Sequence, residues 1–200
     1  MIYIKSDKEI ELMRKPCAIV RDVLNLCQDK IKAGMTTREL DKIAHDYIVA
    51  CGAKPSFLGY GGFPTATCIS IDEVVVHGFP SDRIIEEDMI VSVDVGAYFN
   101  GFHGDAARSL YVGHISPEKK KLIDGTRECF FEGIKGICIG SALGDIGAQV
   151  QAHAEENGFS VVRDMVGHGV GKNLHEDPSV PNYGSVTGSD SQLVRLLAGG

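Results

Sequence analysis

No stretch of these 200 residues approaches the roughly 18 uninterrupted apolar positions that a membrane-spanning helix needs. Positive charge is not in excess either. Twenty Lys and Arg against 27 Asp and Glu leave a formal net charge of −7, which argues against a basic nucleic-acid footprint or an anionic-membrane anchor. The opening residues M-I-Y-I-K-S-D do not read as a secretory leader, so a cytoplasmic setting is expected. None of the six cysteines (Cys17, Cys27, Cys51, Cys68, Cys129, Cys138) forms a C-x-x-C pair. A disulfide framework or structural zinc site is therefore disfavoured, and most of the thiols are expected to be small buried hydrophobes. No linker or low-complexity stretch divides the chain, and a single domain over residues 1–200 is expected.

Glycine is what the chain has in quantity, 24 of 200 residues. Two segments, Gly34 to Gly52 and Gly140 to Gly158, each set their glycines 18 apart around an amphipathic stretch. Upstream of each lies another helical pattern, Ser6 to about Ile31 and Ser116 to about Ile134, with a serine placed to cap each and Pro16 expected to kink the first. Between the helical blocks, Thr67 to His77, Ile90 to Ala97 and Phe102 to Val112 alternate β-branched and polar residues as strands do. The order helix, helix, strands, then helix, helix, strands predicts an α+β fold. Two pseudo-symmetric halves would share one antiparallel sheet, with helices on one face.

Asn100-Gly101 between alternating apolar runs is the signature of a two-residue type I′ hairpin. With those two as the central residues, Phe99 faces Phe102 and Gly96 faces Asp105. Asp94 shares a face with Gly96, so Asp94 and Asp105 become diagonal neighbours with Cβ atoms on the order of 7 Å apart. Carboxylates that close repel unless one is protonated or cations lie between them. A pair of divalent ions about 3.5–4 Å apart would suit the gap, and Gly96 is expected to leave room there. The bland alternative is two solvated aspartates on an exposed ribbon. His103, at the hairpin tip, is expected to point with Tyr98 away from the aspartates.

Three other histidines sit in glycine-bearing settings: His77 before Gly78-Phe79-Pro80, His168 within G-H-G-V-G, and His175 in L-H-E-D-P. Imidazole suits transition metals and carboxylates supply charge. The glycines around His168 are expected to clear space for a ligand. His45, His114 and His153 carry no such setting.

Together these residues resemble the type I methionine aminopeptidases. The likeness rests on S-F-L-G-Y-G-G-F-P-T-A-T-C-I-S-I-D-E-V-V-V-H-G-F-P, then D-V-G-A-Y-F-N-G-F-H-G-D, then G-H-G-V-G-K-N-L-H-E-D-P. It implies the pita-bread (creatinase/aminopeptidase-like) fold and metal-dependent removal of the initiator methionine from nascent proteins. It further implies that Asp94 chelates one metal, Asp105 bridges two and His168 binds the second, with a bridging hydroxide as nucleophile. His77 and His175 would contact the substrate at the scissile bond. Tyr60, Phe63, Cys68 and Leu174 would line the methionine pocket, with Phe57 where many relatives carry a smaller residue. Cobalt, manganese, iron, zinc or nickel would serve as the two divalent ions. The partner would be the N-terminal peptide of a nascent protein, met at the ribosome by a monomer that binds neither nucleic acid nor membrane.

The family's remaining two ligands are glutamates on later strands, and one is also its general base. After Gly184 the sequence reads S-V-T-G-S-D-S-Q-L-V-R-L-L-A-G-G. There Leu193 to Gly199 resembles the turn into the first of those strands. The expectation is a C-terminally truncated member with an incomplete second half, three ligand residues and weakened or abolished activity. Two rival readings remain: an X-Pro aminopeptidase or dipeptidase of the same fold, and a non-catalytic binding module built on it.

Overall fold

The structure, a computed structural model, describes residues 1–184; the Leu193 to Gly199 segment singled out above lies outside them. The chain gathers into two compact units. One holds Lys5–Lys119 with Val170–Leu174, and the other holds Met1–Ile4, Lys120–Gly169 and, of the described residues, 175–184.

The first unit opens with α1 (Asp7–Lys30) and α2 (Thr37–Ala50). Both begin in a reciprocal capping box. The Ser6 hydroxyl accepts from the Glu9 N–H while the Glu9 carboxylate accepts from the Ser6 N–H, and Thr36 and Glu39 repeat the exchange. α1 runs unbroken through Pro16. Then come β1 (Lys54–Pro55), a 3₁₀ turn at Tyr60–Gly62, β2 (Thr67–Ile71), β3 (Val91–Phe99) and β4 (Phe102–Leu110). β1 and β2 both pair with one edge of β3, and β4 pairs with the other, all antiparallel.

The two faces of β3 differ in chemistry. Val91, Val93, Val95 and Ala97 are completely buried and belong to the core formed with Ile19, Val20, Val23 and Leu24 of α1 and Leu40, Ala44 and Ile48 of α2. Each such aliphatic side chain contributes about 1.5–3 kcal/mol on leaving water. Gly104, opposite Ala97, permits the closest approach: a Cβ there would lie 2.6 Å from the Pro16 carbonyl carbon and the Cys17 nitrogen. The even-numbered residues Asp94, Gly96 and Tyr98 point to the other face.

In the second unit, α3 (Pro117–Lys135), which begins in the first, is followed by α4 (Leu143–Glu156) and the short ribbon β5 (Gly167–Gly169) and β6 (Glu176–Val180). The internal repeat is visible in the backbone. α2 and α4 each have 14 residues, and the glycines that bracket them, Gly34 and Gly52, Gly140 and Gly158, all adopt positive φ. α4 keeps only half of the capping box: the Asp145 carboxylate accepts from the Ala142 N–H, and alanine has no hydroxyl to return the bond.

Two expectations need correction. The strand expected over Thr67 to His77 ends at Ile71, because Asp72 turns the chain at φ 50° and His77 sits at φ 59° in a loop that folds back on β2. Within that loop Gly78 accepts from the Ile69 N–H and donates to the Ser70 hydroxyl. Nor are most cysteines buried: Cys27, Cys68 and Cys129 are, while Cys17 and Cys138 are exposed.

Candidate functional site

The hairpin forms as its local chemistry requires. Asn100 and Gly101 take φ 48° and 90°, the two positive values a type I′ turn demands. From there the register runs Phe99 with Phe102, Tyr98 with His103, Ala97 with Gly104 and Gly96 with Asp105. Asp94 and Asp105 therefore share one face, and their carboxyl groups hydrogen-bond to each other. Burial, then the neighbouring Asp105 charge, pushes the Asp94 carboxyl up to about 7, and burial raises Asp105 to about 6. Two carboxyls that must share a proton when no cation is present form an oxygen-donor pair suited to a divalent ion. Among the described residues, no three His, Cys, Asp or Glu side chains are gathered closely enough to hold a metal ion.

The glycine between the aspartates does not leave open space. A Cβ on Gly96 would lie 2.7 Å from the Phe57 ring and 2.7 Å from Ser56 Cβ. Both side chains thus lie over the carboxylate face, and Gly96 is needed for their approach. His103 is also placed otherwise than expected. Tyr98 follows Asp94 and Gly96 by even steps and His103 precedes Asp105 by two, so both belong to the aspartate face. There the His103 Nδ1 lies 2.8 Å from Ser56 Oγ, and its ring sits 4.8 Å from that of Tyr98. The alternation Asp94, Gly96, Tyr98 is the signal in the sequence that marks this position.

Beside the carboxyl pair lies a small apolar cluster. Cys68 stands opposite Asp94 on β2 and is buried with Phe57 and Leu174, while Phe63 packs against the group. Burial, then the charges of Asp94 and Asp105, pushes the Cys68 thiol up to about 12, so it stays neutral at physiological pH. Phe57 and Phe63 meet edge to face at 6.4 Å, and Phe63 leans on Phe79 at 5.1 Å. Of the four expected pocket residues, Phe63, Cys68 and Leu174 gather here, while Tyr60 lies half exposed in the 3₁₀ turn. Phe57 completes the group. His77 is exposed in its loop, close enough that its charge favours ionisation of Asp94.

In the second unit, the His168 and His175 ring centres lie 4.2 Å apart with their planes tilted by 46°. The His168 Nδ1 lies 2.9 Å from the Gly169 carbonyl, which can only accept, so Nδ1 is the donor. The flanking glycines serve packing rather than clearance. A Cβ on Gly167 would come within 3.0 Å of the Val180 carbonyl, and one on Gly169 within 2.7 Å of the Asp177 carbonyl.

Similarity to known proteins agrees with this chemistry. Residues 11–195 match the model of metallopeptidase family M24. The chain is 52% identical over 185 residues to a methionine aminopeptidase of Clostridium acetobutylicum, covering 92% of this chain and 74% of that relative. The solved methionine aminopeptidase of Thermotoga maritima superposes with a TM-score of 0.92 at 42% identity, covering 98% of this chain and 78% of that one. An X-Pro aminopeptidase from Thermotoga maritima, at 21% identity and a TM-score of 0.77, covers 97% of this chain and 52% of that one, and shares the fold alone.

Proposed function

This chain belongs to metallopeptidase family M24, and we propose on that footing that it removes the N-terminal methionine of nascent proteins in a metal-dependent hydrolysis. Its fold is the mixed α+β pita-bread fold of that family. The observation that carries the reading is the Asp94–Asp105 pair with the Phe57–Cys68–Leu174 cluster directly beside it. A charged, cation-attracting spot next to a small apolar surface is what cleavage adjoining one apolar residue requires.

Divalent cations bound there would supply Lewis acidity and lower the pKa of water. We assign Asp94 and Asp105 as carboxylate ligands and His168 as the imidazole ligand through Nε2, two ions being the full complement. Cobalt, manganese, iron, zinc and nickel all accept such donors, and availability selects among them. His77 and His175 steady the peptide at the scissile bond. The neutral Cys68 thiol and the Phe63 and Leu174 side chains offer soft, polarizable contact to a thioether, with Tyr60 at the rim. The partner is the N-terminal peptide of a nascent chain, met at the ribosome in the cytoplasm by a monomer. No helix among the described residues is long and apolar enough to cross a membrane.

The direct test offers Met-Ala-Ser and an X-Pro peptide to the purified chain with Mn²⁺ or Co²⁺. Metal-dependent release of free methionine is the result that supports this reading. Cleavage confined to the X-Pro peptide would transfer the chain to its distant structural neighbours, and a folded chain that binds no metal and cleaves neither would be a binding module.

A further inference from the structure

The five residues Val170–Leu174 lie between His168 and His175 in the sequence and belong to the same compact unit as the carboxylate hairpin. They form neither helix nor strand, so their position depends on individual attachments. Three hold them. The His103 N–H donates to the Gly171 carbonyl at 2.8 Å. Lys172 places its ammonium 2.8 Å from Glu9 Oε1 and 5.8 Å from the centre of the Phe102 ring. Leu174, 3% exposed, closes the apolar cluster over Phe57 and Cys68.

Glu9 divides its two oxygens between two tasks. Oε2 accepts from the Ser6 N–H and hydroxyl to cap α1, and Oε1 receives Lys172. The same carboxylate that starts the first helix therefore anchors a segment more than 160 positions later in the chain. The Lys172 hydrogen bond, followed by those of Ser6, holds the Glu9 carboxyl well below its usual range. Glu9 and Lys172 are members of neither the carboxyl pair nor the apolar cluster. Their effect passes through the segment that Lys172 holds.

We propose that the Glu9–Lys172 ion pair is a clasp on the Val170–Leu174 strap, making Lys172 a positioning residue that seats Leu174 against Cys68 and so sets the apolar wall beside the carboxylates. This deepens the aminopeptidase reading, and the part concerning turnover rests on it. Loosening the clasp lets Leu174 lift. Cys68 then becomes accessible, and the apolar part of substrate binding weakens while the reacting groups stay in place.

Lys172→Met and Glu9→Gln separate the clasp from its surroundings. Methionine keeps an apolar stem over Phe102, and glutamine retains a carbonyl oxygen to cap α1. Lys172→Arg restores the charge. The first readout, independent of turnover, is the rate at which a thiol reagent modifies Cys68, followed by peptide mass so that the exposed Cys17 and Cys138 do not obscure it. Both charge-removing variants should raise that rate roughly three- to fivefold, the scale one partly exposed ion pair supports, and Lys172→Arg should return it to the parent value. The second readout is Met-Ala-Ser hydrolysis, where KM should rise by a similar factor with kcat unchanged. An unchanged Cys68 rate in both variants, or a rise in Lys172→Met that Glu9→Gln does not share, would overturn the clasp. If the parent chain releases no methionine, the turnover readout bears only on the aminopeptidase reading and the Cys68 rates alone decide the clasp.

Discussion

Asp94 and Asp105 share a proton because burial disfavours two adjacent negative charges. Both carboxyls are raised above their unfolded values, so their stabilising effect is fully present below about pH 4 and is lost as pH rises through 6 and 7. The metal-free chain should therefore lose melting temperature across that window, and Mn²⁺ should restore it. Asp105→Asn removes the repulsion. It should stabilise the metal-free chain at pH 8 by about 1–2 kcal/mol, the shift being discounted for side chains that water still reaches, and flatten the pH profile in thermal melts. At this scale the acidic pair was legible from alternation and one turn dipeptide. Its surroundings were not, for two different reasons. Phe57 over Gly96 depends on a loop that no periodicity describes, whereas the side of His103 followed from the same alternation and needed only the count.

Among the elements, the hairpin is the part most completely encoded in local sequence, since Asn100-Gly101 alone fixes nine pairs of register. The run Val74-Val75-Val76 misleads for the opposite reason. Its residues favour strands, yet Asp72 and His77 at positive φ turn the chain, and the three valines are exposed. That loop is pinned by Lys119, whose ammonium lies 3.1 Å from Asp72 Oδ1 and also donates to the Asp88 carbonyl. Lys119→Met should cost about 1–2 kcal/mol, read as a lower urea midpoint at constant slope. α1 imposes a second constraint. With Gly104 pressed against the Pro16 and Cys17 backbone, Gly104→Ala forces helix and strand apart and should cost about 1–3 kcal/mol, again without change of slope.

On the scale of the whole molecule, the repeat foretold two related helix pairs, and the paired glycines at positive φ bear that out. The arrangement of strands was less legible. Among the described residues they form a four-stranded sheet in one unit and a two-stranded ribbon in the other, a division set by long-range pairing that helix and strand patterns do not carry. Family membership was legible because its motifs are short, ordered and chemically specific. The most direct measurement of the central assignment is calorimetric titration of the folded chain with Mn²⁺ at pH 6, in two buffers of different ionisation heat. Binding that releases a proton, and that weakens at least tenfold in both Asp94→Asn and Asp105→Asn, is the predicted result. Binding that releases no proton and survives both substitutions would contradict it.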